Sequence, residues 1–148
     1  MPLVDSLDRD LVAAMKAKDA DKLSALRMLK AAIGHKAIEK KKDKLDDAEA
    51  IEVIQRQVKQ RRESLESFEK AGRNDLAEKE RKELVVLQAY LPEQLGDDEI
   101  RKLVQQAMSI SGAKSKQEMG KLMKELMPLV KGKADGKKVN EIVNQLLV

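Results

Sequence analysis

Two aromatic residues, Phe68 and Tyr90, are all that this chain of 148 residues carries, and that scarcity constrains its fold more than any other feature. Apolar residues still make up 42% of the sequence, so a core is expected, but it must be assembled from Leu, Ile, Val, Ala and Met. That is the palette of a helix bundle, because strands favour aromatic and β-branched side chains. Charged residues account for 38%, which fits a folded and highly soluble protein; disorder would need fewer apolar residues. The length suits one ordinary domain or two small ones.

Apolar periodicity reads as helix nearly throughout, so the fold class expected is all-α. Val4, Leu7, Leu11 and Met15 form a first stripe, interrupted at Lys18-Asp19. Leu23, Leu26, Leu29, Ile33 and Ala37 form a second, which runs into Lys40-Lys41-Lys42 and is expected to end near Lys44. A third helix opens at Asp46-Asp47, where acidic residues suit a helix N-terminus. It carries Ile51, Ile54, Val58, Leu65 and Phe68, with Arg61 interrupting the seam, and ends at Ala71-Gly72. Such an arginine snorkels past the seam or pairs with a carboxylate on an adjoining helix. A fourth helix runs from Asn74 through Leu84, Leu87 and Leu91, and Pro92 breaks it.

Beyond Pro92 the helices shorten and lysine and glycine increase. One opens after Gly96 and carries Ile100, Leu103, Val104 and Ala107; the next carries Met119, Leu122, Met123 and Leu126 and is expected to stop near Pro128. The last follows Gly136 with Val139, Ile142, Val143 and Leu146. Two helical domains are expected: residues 1–95, a bundle or hairpin of about four helices, and residues 96–148, a compact three-helix unit.

Little in the sequence speaks for catalysis. There is no cysteine, and His35 is the single histidine, so a zinc site lacks ligands and a hydrolase triad would have to use a histidine with no pocket evident around it. Ser111-Gly112-Ala113-Lys114 matches a serine acyl-enzyme pattern without its companion motifs. Gly132-Lys133-Ala134-Asp135-Gly136-Lys137-Lys138 resembles a phosphate-binding loop but is one residue short, lacks the Ser/Thr and follows no strand. No catalytic residue, metal or cofactor is assigned.

Charge is more informative. Residues 114–138 hold eight lysines against Glu118, Glu125 and Asp135, a segment a polyanion would meet. Within it Lys131, Lys133, Lys137 and Lys138 cluster around Gly132 and Gly136, with Asp135 placed to cap the final helix. A helix N-terminus surrounded by lysines attracts phosphate. Gly120, next to Lys121, costs about 1 kcal/mol inside a helix, so close packing by a neighbouring helix is expected there. Two aromatics are too few to stack bases, so an RNA contact would be made through the backbone.

Five stretches together carry a family resemblance: Arg27-Met28-Leu29-Lys30-Ala31, Arg61-Arg62-Glu63-Ser64, Tyr90-Leu91-Pro92-Glu93-Gln94-Leu95, Met119-Gly120-Lys121-Leu122-Met123 and Lys131-Gly132-Lys133-Ala134-Asp135-Gly136. In this order, over essentially the whole chain, they resemble the YqeY-like family. The resemblance implies a second domain similar to the C-terminal tail of the GatB-type component of the glutamyl/aspartyl-tRNA amidotransferase, which helps hold tRNA while other parts perform the amide chemistry. It implies a tRNA-binding accessory module, with Lys121, Lys131, Gly132, Lys133, Gly136, Lys137 and Lys138 as its nucleic-acid site and Tyr90, Pro92, Gly120 and Asp135 as structural motif residues. The family label is carbon–nitrogen ligase with glutamine as amido donor; the chain lacks the kinase-like cradle and the amidase, so that activity is only a weaker alternative for it. An alternative is a protein–protein adaptor for an aminoacyl-tRNA synthetase or an amidotransferase subunit. Without a secretory leader or a long apolar span, no membrane association and a cytoplasmic location are expected.

Overall fold

The computed structural model describes residues 1–147, and the regular structure among them is all-α. It divides into two compact units, Met1–Leu91 and Pro92 onward, each with its own apolar core; the last residue of the domain expected over 96–148 lies outside the described residues.

The first unit contains α1 (Leu3–Ala17), α2 (Ala20–Glu39), α3 (Asp47–Lys70) and α4 (Asn74–Gln88). Its core is Leu7, Leu26, Leu29 and Ile33 from α1 and α2, with Ile54, Val58, Leu84 and Leu87 from α3 and α4. Each such side chain contributes about 1.5–3 kcal/mol on burial. Tyr90 is half-buried against this core, and its hydroxyl donates to Asp10 Oδ2 at 2.5 Å. Burial, reinforced by that carboxylate, pushes the phenol well above its ordinary pKa.

Local chemistry sets the ends. Asp19 caps α2 by accepting from the Lys22 N–H at 3.2 Å. Asp46 and Glu49 form a reciprocal capping box at the start of α3, which satisfies two donors the helix cannot. Glu49 also takes Lys40 at 2.8 Å and Lys42 at 2.7 Å. These hydrogen bonds, Lys40 first, hold its carboxyl down at about 2. Here α2 differs from expectation, ending at Glu39 rather than near Lys44. Lys41 turns left-handed at φ 57°, the Lys42 N–H closes back on the Ala37 carbonyl at 2.9 Å, and Leu45 buries itself in the core.

Likewise α4 stops at Gln88, not Leu91. The Pro92 ring would collide with the carbonyl four residues earlier, which is that of Gln88.

The second unit contains α5 (Asp97–Ser111), a short 3-10 turn (Lys116–Glu118), α6 (Met119–Val130) and α7 (Gly136–Leu146). Ile100, Val104, Leu122, Leu126, Val139, Ile142 and Val143 are buried at its centre. Pro128 does not stop α6, which continues to Val130. The proline lies in the last turn on the solvent side, where the carbonyl it cannot serve, that of exposed Lys124, is open to water.

Candidate nucleic-acid interface

The glycine-rich stretch between α6 and α7 is a tight, well-bonded turn. Gly132 is buried and takes φ 78°, a conformation costly for any residue with a Cβ. The N–H groups of Lys133 and Ala134 both return to the Val130 carbonyl, at 2.9 and 3.2 Å. The turn is also held from the side by the segment that opens this unit. The Gln94 side-chain amide donates to the Gly132 carbonyl at 3.1 Å and to the Pro92 carbonyl at 2.7 Å, while the Leu95 N–H donates to the Lys133 carbonyl at 2.8 Å. With both carbonyls engaged inward, Lys131 and Lys133 present exposed side chains.

Asp135 caps α7, accepting from the Lys137 N–H at 3.2 Å. Gly136 is the first residue of α7, exposed, with no atom within 4 Å of where a Cβ would stand. The cap places a carboxylate at the helix end, so the attraction for an anion rests on the surrounding lysines rather than on a bare N-terminus. Those lysines are not equivalent. Lys138 pairs with Asp97 at 2.7 Å, across from α7 to the start of α5. Lys133 and Lys137 are exposed and hold no ion pair among the described residues.

Lys121 lies at the other end of α6, about 15 Å from Lys131 by the rise of the helix. Gly120, Lys124, Met127 and Lys131 recur at helical spacing between these ends, all exposed, and so line one outer side of α6. The expectation of a neighbouring helix packed on Gly120 is not met, since a Cβ there would meet nothing within 4 Å. Sequence reasoning passed over Lys124, whose signal was this spacing. Gln94 stands in one of the family stretches but was given no role of its own, because its acceptor Gly132 is remote in sequence.

In the densest basic run of the sequence, residues 40–44, only Lys41 keeps an exposed side chain with no ion pair among the described residues. Lys40 and Lys42 are absorbed by Glu49, and Lys44 pairs with Asp5. Arg61 is buried against Glu80 and Glu83 on α4, the paired arrangement anticipated for it. Lys114, Lys116, Lys121 and Lys124 are exposed and without ion pairs among the described residues, as are Lys133 and Lys137.

A protein-family model described as Yqey-like protein matches residues 4–147. Among curated proteins, "Altered inheritance of mitochondria protein 41, mitochondrial" of Pyrenophora tritici-repentis is 35% identical over 144 residues, covering 93% of this chain and 78% of that protein. Its namesake in Eremothecium gossypii is 41% identical over 85 residues, covering 57% of this chain and 46% of that protein. The match thus spans about half the length of several of these relatives. Their names correct the cytoplasmic expectation, since the relatives are mitochondrial proteins. No helix among the described residues is long and apolar enough to cross a membrane, and that holds for proteins of an organelle interior as well as for cytoplasmic ones.

Proposed function

This chain belongs to the YqeY-like protein family, and we propose that its second unit binds the phosphate backbone of tRNA as an accessory module without catalysis of its own. The observation that carries this reading is the set of exposed lysines with no counter-ion among the described residues, Lys133 and Lys137 at the start of α7 and Lys121 and Lys124 along α6. Lysines held free of carboxylates displace the counter-ions condensed on phosphate when they meet it, which is the main source of affinity for nucleic acid. Side chains of this kind position a backbone and read no base. Gly120, with open space where a Cβ would be, lets that backbone approach the helix closely. The sequence resemblance to the amidotransferase tail supplies tRNA as the polyanion.

Replacing Lys133 and Lys137 by Ala should weaken tRNA binding across tRNA identities. The slope of log affinity against log salt should flatten by about 0.9 for each phosphate that is no longer neutralised. Gln94→Glu should weaken binding in the same way without removing a lysine, because a carboxylate cannot donate to the Gly132 carbonyl. Unchanged salt dependence in the double lysine variant, measured by filter binding, would count against the loop as the site.

A further inference from the structure

Lys137 and Lys138 stand in the first turn of α7, which holds no acidic residue, although the positive end of a helix disfavours cations. The first turn of α5 is the reverse, with Asp97, Asp98 and Glu99. These two helix ends lie side by side. Lys138 Nζ meets Asp97 Oδ1 at 2.7 Å, and further along both helices Arg101 Nη2 donates to Gln145 Oε1 at 2.9 Å, so α5 and α7 run parallel. Behind these contacts Ile100 and Val104 share one core with Val139, Ile142 and Val143, which fixes the two ends against each other.

The contact divides the lysines of the turn. Lys133 and Lys137 hold no ion pair among the described residues, whereas Lys138 is held by a carboxylate from another helix. The side chains of Lys138 and Asp97 are 52% and 58% exposed. An ion pair this wet adds little to folding stability and exchanges readily with other charges. To an ammonium group, a carboxylate offers two anionic oxygens much as a backbone phosphate does. Asp98, the next residue, is exposed and has no ion pair among the described residues. It carries the same charge without holding a lysine.

We propose that Asp97 is an internal competitor of the tRNA backbone: it occupies Lys138 and withholds that lysine from phosphate. The second unit then binds RNA through Lys133, Lys137 and the lysines of α6, and the acidic turn of α5 marks the edge of the binding surface. A backbone laid across that edge must displace Asp97 in the presence of Asp98, a repulsive element of the kind that narrows what a basic surface accepts. The inference rests on the tRNA reading and concerns how that site is limited.

Binding of an unmodified tRNA transcript to the full chain should tighten at least about threefold in Asp97→Asn, and the slope of log affinity against log salt should steepen by about 0.9, the mark of one more phosphate neutralised. Asp98→Asn changes the net charge equally and should tighten binding less, with the slope unchanged. Asp97→Glu, which keeps the pair, should bind as the parent does. In a Lys138→Ala background Asp97→Asn should bring no more than Asp98→Asn does. Melting temperatures should agree among these variants, since the replaced side chains are exposed. No gain from Asp97→Asn, an equal gain from Asp98→Asn, or a gain that survives Lys138→Ala overturns the competitor and leaves the tRNA reading standing. Binding by the parent that ignores the loss of Lys133 and Lys137 overturns that reading, and this inference with it.

Discussion

Lys18 and Lys41 hold positive φ, 54° and 57°, where the chain leaves α1 and α2. Each closes a helix with the bonding that usually recruits glycine: the Asp19 N–H returns to Ala14 and the Lys42 N–H to Ala37. A side chain in this conformation costs about 1 kcal/mol relative to glycine. Lys41→Gly is therefore expected to raise the free energy of unfolding by about that amount, seen as a higher denaturation midpoint at unchanged m-value. No change would mean that the lysine stem contributes packing that offsets the strain. Neither position could be read from sequence, because a lysine gives no sign of a left-handed residue. The acidic caps at Asp46 and Asp135 were legible, since their chemistry is local.

At the scale of elements, α3 and α4 are joined by a buried ion pair as well as by apolar packing. Arg61 and Glu83 have side chains only 7% and 3% exposed, Glu80 adds a second carboxylate at 3.3 Å, and the Met28 sulfur accepts from Arg61 Nη2 at 3.2 Å. Arg61 Nε and Glu83 Oε1 have no hydrogen-bond partner among the described residues, so the desolvation of the pair is not fully compensated. Arg61→Ala should cost about 3–5 kcal/mol by leaving buried carboxylate uncompensated, whereas Arg61→Met combined with Glu83→Leu should fold with nearly parental stability. Chemical denaturation of the single and double variants decides the point; equal destabilisation would show that packing, not charge, sets the cost. Arg61 was visible as a break in an apolar stripe, but its partners were not, because Glu80 and Glu83 sit in a run of alternating charges that reads as solvated surface. Helix ends followed the same division. Pro92 marked the end of α4 to within a turn, while the end of α2 depended on where Leu45 found the core.

At the scale of the whole molecule, basic charge is redistributed by pairing. The sequence shows two lysine-rich regions, residues 40–44 and 114–138. Folding absorbs Lys40, Lys42 and Lys44 into ion pairs and leaves Lys121, Lys124, Lys133 and Lys137 without them among the described residues. On the tRNA reading, affinity should persist for structured RNAs of unrelated sequence and fall for a single-stranded homopolymer, since two aromatics provide no stacking platform. A competition assay with duplex and single-stranded RNA of equal length checks this; equal affinities would point to charge alone.

By itself the sequence determined the helical class, the change of character near Pro92, the membership in a family and the segment carrying most of the excess positive charge. These follow from composition, from periodicity and from motifs in order, and each of those is a property of neighbours along the chain. Tertiary structure alone decided which lysines of the second unit are free, that Gln94 braces the glycine turn, and that open space surrounds Gly120. Those depend on which residues remote in sequence come within a few ångströms of one another, and one-dimensional patterns do not encode that.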